Sequence, residues 1–248
     1  MDLFGHHNPG FSFTPEYTDD GAIIYDYLAS LGPSSFITYQ KFQDDVTASG
    51  LLKANADSRI RMLFPFLVKC GAIAQSDYQT EQFSFDTLFS EYGHILFHFW
   101  KLRQAVSLTG NADAMKQVKK ISKSIYFPMF ITLSKMPDEF YLPITKALMQ
   151  HSSLDKLEYF VLVHYLTGGA PIGGLSFDDW LFQKRSDDSF DTSYYHIVKN
   201  VNCFAYTMAL LSDFGVAEKS GQNRYAFCEI HSTELDKILE EKSWTNKN

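Results

Sequence analysis

The 248-residue chain is poor in cysteine and has no long uninterrupted apolar run. Its three cysteines, Cys70, Cys203 and Cys228, are too few and too scattered for a disulfide framework or a cysteine-based zinc site. No window reaches the roughly 18 consecutive apolar residues of a membrane-spanning helix. The start of the chain also lacks the basic and then apolar pattern of a secretory signal. These absences predict a protein of the reducing cytoplasm without a membrane partner.

Catalytic motifs are missing as well. The eight histidines are dispersed, and the pair His94 and His98 lacks the glutamate that follows the first histidine of a metalloprotease helix. The glycines of residues 168–174 are not followed by the lysine and hydroxyl residue of a phosphate loop. No Gly-x-Ser-x-Gly elbow occurs in the chain. The sequence therefore predicts a protein without catalytic residues, a metal site or a cofactor.

Acidic residues outnumber basic ones by 29 to 22, but the imbalance is uneven. Residues 101–135 hold seven basic side chains and one acid, whereas the remainder holds 15 basic and 28 acidic side chains. Four lysines of this stretch share one face of a predicted helix: Lys116, Lys119, Lys120 and Lys123. Such a face can contact phosphates, meet an acidic protein surface or remain solvated. The sequence leaves these alternatives open.

Residues 21–92 contain three helix signals followed by two strand signals. Apolar spacing, caps and glycine stops predict helices over residues 22–31, 39–46 and 59–70. Residues 72–75 and 82–85 then favour two short strands around a polar turn. We expect Pro65, inside the third helix, to kink or restart it.

Residues 154–242 repeat the same order. Helices are predicted over 154–166, near residue 177, and from a cap at Asp191 or Thr192 as far as Gly215. A hairpin of residues 216–219 and 224–227 follows, and residues 233–242 favour a final helix. The segment between the two repeats, residues 93–150, is helical by pattern and is broken up by Pro128, Pro137 and Pro143.

Both third helices end in a similar phrase, in residues 67–73 and 210–216. An apolar pair, a polar pair, a glycine and an apolar strand start recur in that order. With the order of helices and hairpin, this resembles the winged-helix superfamily over residues 21–92 and 154–242. The predicted fold is therefore mostly α, of the α+β class. Its parts are an N-terminal arm (1–20), a first winged-helix module (21–92), a helical basic linker region (93–150) and a second module with a C-terminal helix (151–248).

The resemblance implies contacts with double-stranded DNA, because the third helix of such a module enters the major groove and the wing touches the backbone. In the second module the polar and basic residues at these positions are Ser193, Tyr194, His196, Lys199, Asn200, Lys219, Asn223 and Arg224. Their equivalents in the first module are Arg59 and Arg61. With the four lysines they form the candidate DNA-binding set. The leading hypothesis is a non-catalytic DNA-binding protein of bacterial or mobile-element type, acting as a regulator or a target-recognition component.

A second hypothesis is a tandem winged-helix subunit that binds a protein partner or a second copy of itself. The accessory subunits of chromosome-condensing SMC ATPases are similar in architecture, and tandem winged helices also occur in phage-defence systems. The acidic average charge favours this hypothesis, since it opposes contact with nucleic acid. The polar residues of the third helix and the wing favour the hypothesis that the protein binds DNA.

Overall fold

The computed structural model describes residues 1–7, 12–52, 55–136 and 139–245, the last five by their backbone only. The fold is mostly α with a few short strands, as the sequence predicts. The chain divides into two compact units. Unit 1 combines Met1–Gly10 with Met136–Asn248, and unit 2 is the contiguous stretch Phe11–Lys135. The region predicted as a linker contributes helices to both units.

Unit 2 consists of helices connected by short turns. They are α1 (Pro15–Ser30), α2 (Tyr39–Ser49), α3 (Ala56–Lys69), α4 (Phe85–Leu88), α5 (Glu91–Leu108) and α6 (Ala112–Ser134). Helix α1 begins seven residues earlier than predicted, because the Thr14 side chain caps it and Pro15 has the backbone angle that suits a first helical position. Part of the predicted arm is therefore helix. Residues 8–11 of that arm lie outside the described residues.

The core of unit 2 is aromatic. Helix α1 packs on α5, where the rings of Tyr25 and Phe97 stack with centroids 5.0 Å apart. Gly21 permits the close approach of the two helices, since a Cβ there would lie 2.4 Å from the ring of Trp100. Phe42 of α2 and Phe64 of α3 stack in the same way, at 5.4 Å. These rings are buried and form the apolar inner sides of the helices.

The hairpin predicted for residues 72–75 and 82–85 is wrong. In its place the structure has only isolated bridges, from Phe83 and Phe89 to earlier parts of unit 2. Ser84 begins α4 with a capping box. The residues that a second strand would need are therefore used to start a helix.

Proline interrupts fewer helices than the sequence predicts. Helix α3 runs continuously through Pro65 and α6 through Pro128, so the expected breaks at these positions are wrong. The residues on either side of Pro128 are buried, and their packing offsets the roughly 3 kcal/mol that an interior proline costs. Pro143 lies in the first turn of a helix, where its missing N–H loses no partner. Pro137 lies outside the described residues.

Unit 1 combines helices with two small sheets. Its helices are α7 (Tyr141–His151), α8 (Lys156–Leu166), α9 (Phe177–Ser186), α10 (Cys203–Asp213) and α11 (Ser232–Thr245). Its strands are β1 (Asp2–Phe4), β2 (Ser153–Asp155), β3 (His196–Lys199), β4 (Ala217–Gly221) and β5 (Arg224–Phe227). Among the described residues, no helix of either unit is both long and apolar enough to cross a membrane.

The predicted hairpin of unit 1 is present as β4 and β5, which pair antiparallel. Strand β2, which the sequence did not predict, pairs antiparallel with the other edge of β5 and completes a sheet of order β2-β5-β4. Asn223 lies in the hairpin turn with φ at 54°. Asparagine tolerates this left-handed conformation better than most residues, which explains why the turn forms here.

The long helix predicted from Asp191 or Thr192 is wrong in its first half. Residues 196–199 form β3, which pairs in parallel with β1. The helix, α10, begins only at Cys203. Asn200, between strand and helix, has φ at 53° and breaks the helical path. Pairing with a strand from the start of the chain therefore overrides the helical periodicity of this segment.

Candidate functional site

The buried start of α8 holds a network of charges. The side chain of Asp155 caps the helix, and Glu158 closes a capping box by accepting from the Asp155 amide at 2.8 Å. Glu158 is fully buried. It also accepts from Lys184 Nζ at 2.9 Å and from two nitrogens of Arg185, at 3.0 and 2.9 Å. Burial alone would raise its pKa, but these bonds outweigh burial and lower the pKa of Glu158 to about 2.

The wing cation Arg224 belongs to the same network. Its guanidinium donates to Asp155 Oδ2 and to Ser153 Oγ, at 3.1 Å in each case. These bonds hold β5 to β2 and neutralise the charge of the arginine within unit 1. A phosphate would have to compete with a carboxylate already in place.

The corresponding cation of unit 2, Arg59, is also paired with carboxylates and is more deeply buried than Arg224. It forms ion pairs with Asp20, at 2.7 Å, and with Glu16, and its guanidinium lies 3.8 Å above the ring of Tyr17. Only 7% of its side chain is exposed. Arg61, two residues further on, is exposed and pairs with Asp57 one turn before it. Both predicted contacts of the first module therefore already have acidic partners.

The remaining predicted contacts of unit 1 lie on strands and turns, not on a helix. His196 and Lys199 are exposed on β3, and Ser193 lies in the turn before it. Asn200 already has a hydrogen-bond partner within unit 1, because its side-chain amide donates to the carbonyl of Gly5 at 2.9 Å. Lys219 is exposed on β4, whereas the carbonyl of Asn223, in the hairpin turn, accepts from the Lys156 amide at 2.9 Å. The structure does not bring these residues together as one helical face.

The same part of unit 1 carries exposed apolar and aromatic side chains. Five of them lie along β1, β3 and the first turn of α10, and we call them the Tyr206 surface: Phe4, Tyr194, Val198, Val201 and Tyr206. Each has between 37% and 62% of its surface exposed. Val201 and Tyr206 border a cavity of about 280 Å³ that His7 and Asn202 also line. Helix α10 itself carries no basic residue.

A buried polar cluster lies below this cavity. His6 Nε2 is 2.6 Å from the Tyr159 hydroxyl, which donates to Thr207 Oγ1 at 3.1 Å. The other ring nitrogen of His6 bonds to the His7 carbonyl. Burial lowers the pKa of His6 and raises that of Tyr159 and of the neighbouring Cys203 thiol. A thiol held in its neutral form is a poor nucleophile, so this cluster positions the start of the chain and does not activate Cys203.

Gly5 shows how tightly the start of the chain is held. A Cβ at this position would lie 2.4 Å from Cys203 Sγ and 2.6 Å from the Asn200 carbonyl oxygen. Only a residue without a side chain fits there. The described residues contain no group of three or more His, Cys, Asp or Glu side chains that could hold a metal ion.

Neither protein-family models nor curated proteins nor solved structures give a match to this chain.

The lysine face of α6 is where the sequence predicts it. Lys116, Lys119 and Lys120 are exposed and form no ion pair with any described residue, and Lys123 is half-buried beside them. Val118 is buried and marks the opposite side of the helix. Lys116, Lys119 and Lys120 are therefore members of the predicted DNA-binding set whose charge has no acidic partner among the described residues.

Sequence reasoning missed the Glu158 network and the Tyr206 surface. The spacing of Asp155 and Glu158 is itself a capping-box signal, and it would have placed the start of α8. The partners Lys184 and Arg185 lie almost thirty residues further along the chain, where no local pattern links them to Glu158. The Tyr206 surface depends on the pairing of β1 with β3, two segments that lie much further apart in sequence.

Proposed function

We propose that the chain is a protein-binding subunit of a larger assembly and that it binds its partner through the Tyr206 surface of unit 1. The observation that carries the proposal is the composition of that surface. It holds five exposed apolar or aromatic side chains, two of which, Val201 and Tyr206, border a cavity, and the adjoining helix α10 has no cation. Protein interfaces are enriched in aromatic residues and depleted in charge at their centres.

The charges around this surface support the same proposal. A DNA interface is strongly positive and polar, but Arg224 of unit 1 is paired with Asp155. Lys199 is exposed next to Val198 on β3, and α10 carries no basic residue. A single basic residue in such a surface favours orientation of a partner more than affinity.

The arrangement of unit 1 supports a winged-helix interpretation of that subunit. Helices α8, α9 and α10 and the hairpin β4-β5 follow one another in the order that the winged-helix resemblance implies. Strand β3 is inserted between the second and third helices of that order. Winged-helix subunits of larger assemblies, such as those of SMC-type ATPases or of phage-defence systems, are the class of protein that this proposal favours. Unit 2 does not support a second module, because its described residues lack the expected hairpin.

Affinity capture from cells that express the protein natively tests the proposal. The wild type is compared with Tyr206→Asp and with the matched control Phe182→Asp, which changes another exposed aromatic residue of unit 1. We expect a stoichiometric partner with the wild type and the control, and its loss with Tyr206→Asp. Mass photometry of the purified pair gives the stoichiometry. Equal recovery by all three proteins, or no partner for any of them, contradicts the proposal.

A second function rests on the lysine face of α6. Its three exposed, unpaired lysines can neutralise phosphates of double-stranded DNA, each with a salt-sensitive contribution. Fluorescence anisotropy with duplex DNA at about 50 mM salt, where such contacts are strongest, measures this. The triple change of Lys116, Lys119 and Lys120 to glutamine then abolishes binding. Absence of binding by the wild type rejects this function and leaves the protein-binding proposal untouched.

A further inference from the structure

Unit 1 has a second concave feature, distinct from the Tyr206 surface. It is a groove of about 420 Å³ between α7, α8, α9 and α11. Most of its lining is apolar: Leu142, Ala147, Leu162, Leu166, Phe177 and Leu239. Small-molecule sites typically have about 300 to 1,000 Å³, apolar walls and a few polar groups that orient the ligand. The groove has the size and the walls of such a site.

The polar groups of the groove come from one helix. Lys146 and Gln150 are four residues apart on α7, so they lie on the same edge of the helix. Both are exposed, and Lys146 forms no ion pair with any residue that the structure describes. His151 follows Gln150, and its Nε2 lies 3.0 Å from Asp178 Oδ1. The rim therefore presents one uncompensated cation with an amide donor next to it.

The charge of this rim restricts the chemistry of the ligand. A single unpaired ammonium matches one carboxylate, and the amide of Gln150 can donate a second bond to it. A phosphate dianion would need more donors than these two groups supply. A cationic ligand would be repelled by Lys146. A wholly apolar ligand would leave the exposed ammonium to water and would gain no bond from it.

The volume of the groove restricts the size of the ligand. At about 420 Å³ the groove lies towards the lower end of the range typical of small-molecule sites. A carboxylate with a medium-length aliphatic chain or a bicyclic aromatic body is of that size. We propose that the groove binds an apolar monocarboxylate, with its carboxylate at Lys146 and Gln150 and its body against Leu162, Leu166 and Phe177. This site is independent of the Tyr206 surface and of the partner bound there.

Isothermal titration calorimetry of the full chain with sodium octanoate tests the site. Octanamide and octylamine are the probes that keep the chain length and change the charge. Three variants accompany the wild type. Lys146→Gln removes the cation, Leu166→Trp fills the groove from a half-exposed position, and Lys237→Gln changes an exposed lysine of α11 that does not line the groove.

We expect octanoate to bind the wild type and Lys237→Gln equally, and Lys146→Gln at least tenfold more weakly. Leu166→Trp abolishes binding, and octanamide and octylamine bind at least tenfold more weakly than octanoate. Thermal melts of each variant confirm that it is folded, and octanoate raises the melting temperature only of proteins that bind it. Equal binding of octanoate and octanamide, insensitivity to Leu166→Trp, or no binding at millimolar octanoate overturns the proposal.

Discussion

Unit 1 buries the carboxylate of Glu158 and unit 2 buries the ion pair of Arg59 with Asp20, and the two sites have different surroundings. In unit 1 the carboxylate of Glu158 accepts from Lys184, Arg185 and the Asp155 amide. In unit 2 the guanidinium of Arg59 faces Asp20 at 2.7 Å, but the angle of that contact is poor for a hydrogen bond. A buried charge stabilises a fold only if hydrogen bonds replace those it made with water. The first network meets this condition more fully than the second.

The pKa values of the two sites express the same contrast. Hydrogen bonds hold the pKa of Glu158 at about 2 although burial acts against them. At Asp20 the effect of burial is larger than the opposing effect of Arg59, and the pKa of this carboxyl is raised above its ordinary value. One carboxylate is therefore stabilised in its charged form, and the other is destabilised in it.

The largest effect is expected from Glu158→Gln. The amide keeps the shape of the side chain but leaves Lys184 and Arg185 without their buried counter-charge. Breaking a buried ion pair from one side costs about 3 to 5 kcal/mol. Urea denaturation followed by hydrogen–deuterium exchange mass spectrometry measures the loss in peptides of unit 1. A loss below about 1 kcal/mol would mean that solvent reaches these cations and that the network is weaker than its geometry indicates.

A smaller effect is expected from Arg59→Met in unit 2. The methionine keeps much of the apolar contact, and Asp20 can take up a proton because its pKa is already raised. Glu16 is two-thirds exposed and returns to solvent. We expect a loss of about 2 kcal/mol, measured by exchange in peptides of unit 2. A loss as large as that of Glu158→Gln would remove the contrast between the two units.

Lowering the pH tests the same contrast between Glu158 and Asp20 without a mutation. The pKa of Glu158 is lower in the folded chain than in the unfolded chain, so its stabilisation is complete above its ordinary value of 4.5 and is lost as the pH falls towards 2. The contribution of Asp20 to stability changes with pH in the opposite direction, since its raised pKa makes protonation favour the folded state. Exchange measured between pH 7 and pH 3 should show that acid weakens the Glu158 region more than the region around Asp20. Equal loss in both would contradict these directions.

The smallest effect is expected from Arg61→Gln, the control for Arg59 on the same helix. Arg61 is 64% exposed and pairs with Asp57 one turn away. Solvent screens such a pair, so the change in the free energy of unfolding should stay below about 0.5 kcal/mol. The denaturation midpoints of the two variants, measured side by side, give the difference between a buried and an exposed arginine two residues apart.

Local patterns predicted the parts of the fold that depend on neighbours in sequence. The helical spacing of the core residues, the β4-β5 hairpin and the lysine face of α6 are of this kind. Even the burial of Arg59 had a local signal, since Leu63 and Phe66 follow it at steps of four and three and are buried on the same face. That periodicity places Arg59 on the core side of α3, away from any ligand.

The parts that were predicted wrongly depend on remote partners. Residues 196–199 have helical periodicity, yet they pair with β1 because that partner is available only in the folded chain. The first hairpin fails because Ser84 caps a helix, whereas β4 and β5 also have β2 to pair with. Of the candidate site, the sequence predicted the lysines of α6 and Tyr194, since the rest of the Tyr206 surface requires the pairing of two segments that are remote in sequence.

The pairing of β1 with β3 has a consequence for the order of folding. Asp2 pairs with His196, and the whole of unit 2 lies between them in sequence. During synthesis, therefore, β1 leaves the ribosome long before its partner exists, whereas all of unit 2 is complete by residue 135. Compaction of unit 2 also shortens the free chain that must close before β1 and β3 meet, and so lowers the entropic cost of closure. A translation intermediate would then contain a native unit 2 while Leu3 and Phe4 still lack their partner strand. Chaperones could bind these two exposed apolar residues until the last third of the chain has been synthesised.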